Sequence, residues 1–126
     1  MAVNKNPSGI SNARRLINSG DYDTSSDWSF SAADGNKLLG DDDWMKYKKW
    51  FLAIDTEETE ETKARYKYPF GKNGKVYRSA LIAIRQRSGQ QDETDIFDAA
   101  GELVDLIDSK KSIANDILEE LKKVNG

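Results

Sequence analysis

An apolar stripe limits what this chain can fold into. Ile96, Ala100, Leu103, Val104 and Ile107 recur at i, i+4, i+7, i+8 and i+11, a spacing that an α-helix gathers on one face. It predicts a helix from Asp92 to Asp108, broadened by Phe97, that needs other elements to cover it. A similar pattern, Ile113, Ile117, Leu118, Leu121 and Val124, follows Ser109-Lys110-Lys111-Ser112 and predicts a C-terminal helix over 109–126, packed back as a hairpin or extended.

Upstream, Ser79 is placed to cap a helix carrying Leu81, Ile82 and Ile84 and stopping at Gly89. Asn73-Gly74 is a type I′ hairpin signal that sets Lys72 opposite Lys75 and Phe70 opposite Tyr77, and Pro69 confines that ribbon to an edge. Asp41 to Asp43 suit a helix N-terminus, and Trp44, Tyr47, Phe51 and Ile54 follow at helical spacing with Trp50 at the flank. Thr56 to Arg65 reads as a second short helix capped by Thr59. Ser31 and Asp34 form a variant capping box for a short helix ending at Gly40, preceded by an extended Trp28-Ser29-Phe30. Ser11 is placed to cap a helix in which Ala13, Leu16 and Ile17 share a face and Gly20 is the stop. The fold class expected is mainly α with a small β-hairpin, an α+β chain in one compact helical domain. Residues 1–9 read as a flexible arm, 10–108 as the domain with its hairpin near 66–78, and 109–126 as the terminal helix. Trp28, Phe30, Trp44, Tyr47, Phe51, Leu81, Ile84, Ile96, Leu103, Val104 and Ile107 are the expected core.

The 126 residues contain no Cys and no His, which removes disulfides, thiolate nucleophiles, the usual zinc ligands and the side chain that titrates near neutrality. Asp55, Glu57, Glu58, Glu60 and Glu61 lack the glycine-centred turn of a calcium loop, and Gly71-Lys72-Asn73-Gly74-Lys75 lacks the spacing of a phosphate loop. No enzyme, metal or cofactor is expected. The longest apolar run, Ala80 to Ile84, is too short to span a bilayer, so a membrane partner is not expected either.

The functional signal is charge segregation. Between Glu61 and Asp92 there is no acidic residue, yet Lys63, Arg65, Lys67, Lys72, Lys75, Arg78, Arg85 and Arg87 fall there, with Tyr66, Tyr68, Phe70 and Tyr77 interleaved. These eight cations are the candidate contacts for an anionic partner, either a neighbouring protein surface or nucleic acid whose phosphates they neutralise and whose bases stack on the rings. Packing of those rings in the core, with the cations as a solvated rim, is the competing structural explanation.

Trp28-Ser29-Phe30, Asp43-Trp44 with Tyr47 and Trp50-Phe51, Glu61-Thr62-Lys63, Arg65 to Lys72 and Val76 to Ala80 together resemble a module of tailed-phage and prophage head-morphogenesis proteins. In that family it often accompanies prohead proteases, and the similarity runs from about Ala13 to Asp108. The resemblance implies a role in capsid assembly or on the virion, with head or capsid proteins as partners and the virion or the bacterial host cytoplasm as location. The sequence departs from that pattern in showing no protease portion, and without His it supplies no Ser–His pair, so proteolysis is not expected. The leading expectation is a non-enzymatic head-associated protein with an accessory, assembly or decoration role. The alternative is a nucleic-acid-binding module using residues 63–87.

Overall fold

In the computed structural model, residues 3–125 are described, with side chains for 3–110 and 120–122. Strand β1 (Val3–Lys5) leads into α1 (Pro7–Asn18), then β2 (Tyr22–Asp23), α2 (Ala32–Leu39) and the single-turn α3 (Trp44–Tyr47). A 3₁₀ turn at Lys48–Trp50 delivers the chain into β3 (Phe51–Asp55). A second 3₁₀ turn, Lys63–Arg65, precedes β4 (Tyr66–Pro69), β5 (Gly71–Lys72) and β6 (Lys75–Tyr77), and the chain ends in α4 (Arg78–Gln90) and α5 (Thr94–Asn125). The architecture is α+β: helices packed on two small three-stranded sheets, ordered β1-β3-β4 and β2-β6-β5.

The stripe on α5 does what its spacing demands. Ile96, Ala100, Leu103, Val104 and Ile107 are buried with Ala13, Leu16 and Ile17 of α1, Leu52 and Ala53 of β3, Phe70, Val76, and Leu81 and Ile84 of α4. α4 runs antiparallel to the first part of α5. Arg78 at its start makes paired bonds of 2.9 and 3.0 Å to Asp108, and Arg85 lies 4.8 Å over the Phe97 ring. A smaller aromatic cluster holds Leu38, Leu39, Tyr47 and Phe51, with Phe30, Trp44 and Tyr66 partly buried around it, and Trp50 touches both clusters. Trp28, Phe30 and Trp44, expected in the core, are therefore half-buried edges.

The hairpin forms with Lys72 paired to Lys75 and Gly71 to Val76. Asn73 and Gly74 both have positive φ, 56° and 75°, as a type I′ turn requires. Ser31 and Asp34 form the capping box and Gly40 ends α2, as their sequence predicts.

Other expectations are corrected. The helix expected over Trp44 to Ile54 is one helical turn, a 3₁₀ turn and a strand. Phe51, Leu52 and Ala53 are all buried, because β3 is the central strand of its sheet, covered on both faces, and such a strand reads as a continuous apolar run without alternation. Thr56 to Arg65 is not a helix. Asp55 turns the chain by accepting from the Glu57 N–H at 3.0 Å and the Glu58 N–H, and only Lys63–Arg65 coils. The arm expected over 1–9 is docked: Val3–Lys5 pairs antiparallel with β3, Pro7 opens α1, and Met1 and Ala2 lie outside the described residues. Asn6, not Ser11, precedes that helix, because Pro7 suits its first position. Ser79 does not cap α4, which starts at Arg78; its hydroxyl donates instead to the Ser26 carbonyl at 2.8 Å.

The C-terminal helix is not a separate element. α5 runs unbroken for 32 residues, about 48 Å if straight, because Ser109-Lys110-Lys111-Ser112 contains no Gly or Pro to stop it. The side chains of Ile113, Ile117, Leu118 and Val124 lie outside the described residues. Among the described residues no helix is long and apolar enough to cross a membrane.

Two glycines give opposite expectations. A Cβ on Gly9 would sit 1.8 Å from the Phe51 carbonyl oxygen, so Gly9→Ala should cost about 1 to 3 kcal/mol or more by overpacking. On Gly101 a Cβ meets only the flexible Arg85 side chain, at 3.5 Å, so Gly101→Ala should stabilise α5 by up to about 1 kcal/mol. Urea denaturation of both variants checks the two signs.

Candidate binding surface

The eight cations singled out from the sequence do not form one surface. Five have partners within the chain. Lys72 Nζ donates to the Ser29 carbonyl at 2.6 Å, pairs with Asp34 at 3.1 Å and lies 5.4 Å from the centre of the Trp28 ring, tying the hairpin to α2. Arg78 is held by Asp108, and Arg85 is stacked on Phe97. Arg65 reaches back to the acidic loop, with Nη1 donating to the Glu58 carbonyl at 2.9 Å and Nη2 lying 3.9 Å from Glu60. Lys63 donates to Asn36 Oδ1 in the middle of α2. Lys75 stands exposed at the hairpin, its charge acting on Asp23.

Lys67 and Arg87 are brought together. They line a groove of about 380 Å³ with Val3, Tyr68, Pro69, Gln91 and Glu93, where the edge strand β4 meets the α4–α5 turn. Neither makes an ion pair among the described residues. Tyr68 contributes to the floor. Its φ is +62°, a conformation rarely adopted by side-chain-bearing residues, and the pyrrolidine of Pro69 follows it directly. The Tyr68 hydroxyl donates to the Glu93 carboxylate and lies 3.3 Å from Gln91 Oε1. Burial first, and that carboxylate second, push the phenol well above the ordinary tyrosine range, so it stays a neutral donor. The groove thus joins an apolar floor to two cations, with its one carboxylate already engaged by a phenol.

The other three interleaved aromatics, Tyr66, Phe70 and Tyr77, are packed within the fold. Phe70 is 0% exposed and Tyr77 9%, while Tyr66 stacks on Trp44 and meets Tyr47 edge-on. Bases cannot reach the buried faces of Phe70 and Tyr77. Burying a phenyl ring contributes about 1.5 to 3 kcal/mol, which accounts for its presence without a ligand.

A second cationic groove went unread in the sequence. Arg15 of α1 and Lys49 of the 3₁₀ turn line it with Pro7, Ser8, Ser11 and Asn12, and its volume is about 560 Å³. Its two cations stand 34 positions apart in the chain, so local charge density carried no signal for it. Among the described residues no group of three or more His, Cys, Asp or Glu side chains is placed to hold a metal ion. No protein-family model matches the chain, and comparison with curated proteins and with solved structures finds no match.

Asp34 gives a pH dependence with a definite sign. The Ser31 backbone N–H, then the Lys72 ammonium, hold its carboxyl below the ordinary value of 3.8. Its contribution is therefore present above about pH 4 and is lost as pH falls through the lowered value. Tryptophan emission should change over that acid range as Lys72 loses its hold beside Trp28, and in Asp34→Asn this step should be absent.

Proposed function

We propose that the protein is a non-enzymatic component associated with tailed-phage heads, acting in assembly or as an accessory or decoration subunit, in the virion or the host cytoplasm. It docks onto another head protein through the groove between β4 and the α4–α5 turn. The observation carrying this reading is the pairing of Lys67 and Arg87 over the floor of Val3, Tyr68 and Pro69. Such a groove fits a protein segment that presents an acidic side chain beside an apolar one. The resemblance of residues 13–108 to the head-morphogenesis module supplies the context, and internal pairing of most other cations in the segment directs attention to this groove.

Nucleic-acid binding by residues 63–87 has less support. Five of the eight cations have partners inside the chain, and the burial of Phe70 and Tyr77 removes them as stacking platforms.

Co-sedimentation with purified heads or proheads checks the proposal. The wild-type chain should pellet with them, and Lys67→Glu/Arg87→Glu should reduce the bound fraction roughly ten-fold or more, because one charge reversal at a docked pair costs several-fold in affinity. A wild-type protein that stays in the supernatant with every head form would refute it.

A further inference from the structure

The groove between α1 and the Lys48–Trp50 turn has a construction that its surface position does not require. Asn12 is 7% exposed and works in two directions. Its Nδ2 donates to the Lys49 carbonyl at 3.0 Å, while its Oδ1 accepts from Arg15 Nη2 at 2.8 Å. One buried amide therefore fixes the backbone of one cation and the guanidinium of the other. A guanidinium carries five N–H donors, so the bond to Asn12 orients Arg15 and leaves four for a ligand. The hydroxyls of Ser8 and Ser11 line the same groove, and no carboxylate does.

The cationic track continues. Lys48 lines an adjoining groove that shares Pro7 and Ser8, and its carbonyl accepts from Asn6 Nδ2 at 2.7 Å, a second Asn anchor on the same turn. Glu60 and Glu61 also line that adjoining groove, with Arg65 lying 3.9 Å from Glu60. Neither Lys48 nor Lys49 makes an ion pair among the described residues. The result is an open strip of two adjoining grooves lined by the cations Lys48, Lys49 and Arg15 and by Ser8 and Ser11, with acidic residues in the lining of the second groove only. An enclosed cup would suit a free anion. An open strip with spaced donors suits a chain of phosphates.

We infer that this strip binds the phosphodiester backbone of nucleic acid, through charge-assisted bonds from Arg15 and Lys49 and hydrogen bonds from Ser8 and Ser11. This inference does not rest on the head-docking reading, and it places the nucleic-acid contact outside residues 63–87. Backbone contacts carry no base preference, so binding is insensitive to sequence and steeply dependent on salt.

Fluorescence anisotropy of the full chain with a labelled duplex of arbitrary sequence, from about 50 to 200 mM salt, tests it. Arg15→Gln/Lys49→Gln should lower the slope of log affinity against log salt by about 2 and weaken binding roughly ten-fold or more at the lowest salt. Lys67→Gln/Arg87→Gln changes net charge equally and should stay within about two-fold of wild type, which separates this site from the head-docking groove. Lys49→Gln alone alters an exposed side chain and should lower the slope by about 1, so the test survives if loss of the Arg15–Asn12 bond disturbs folding. Equal losses in the two double variants, absence of wild-type binding at low salt, displacement of the duplex by low millimolar inorganic phosphate, or equal competition by a polyglutamate peptide would each overturn the inference.

Discussion

The α1 backbone lies directly against β3 at Gly9, and most of the arrangement depends on that contact. Gly9 has no side chain, so the helix backbone lies against the Phe51 carbonyl where a methyl group would collide. That proximity lets Asn6 bond the Lys48 and Phe51 carbonyls and Asn12 bond that of Lys49, so the start of α1 is fastened to the 3₁₀ turn and to the strand it feeds. β3 is then free to take β1 on one edge and β4 on the other. The core of α1, α4 and α5 closes over it, and the same fastening brings Arg15 and Lys49 into the lining of one groove.

Several of the charged side chains hold elements together. Lys72 ties the hairpin to α2, Arg78 ties the start of α4 to the middle of α5, and Arg65 folds the acidic loop back toward its own strand. Arg78–Asp108 is more than a third exposed on both sides, so this pair contributes in the modest range of surface ion pairs, about 0 to 1 kcal/mol. Their combined effect is geometric. They engage three of the eight cations of residues 63–87, and two small cationic grooves stand apart from them, one amphipathic beside Tyr68 and one polar beside Asn12.

Much of the local structure was legible in the sequence. The stripe Ile96 to Ile107, the Ser31–Asp34 capping box and the Asn73-Gly74 turn are signals written within one turn or a few, where spacing and φ preference decide the outcome. The run Trp44 to Ile54 was misleading, because helical spacing over a short apolar segment cannot distinguish a helix from a strand covered on both faces. Val3–Lys5 looked like loose arm because its partner strand lies some fifty residues away. Of the grooves, Lys67 and Arg87 could be nominated as cations, but not as neighbours.

The amino-acid order by itself determined which segments turn, which begin and end as helices, and that acid and base are unevenly distributed, since these depend on side chains a few positions apart. Tertiary structure alone decided that β3 is a strand, which cations are neutralised internally, and that Arg15 and Lys49 line one groove. Those outcomes depend on contacts between residues far apart in the chain, and Coulomb and hydrogen-bond energies follow distance in space rather than position in sequence.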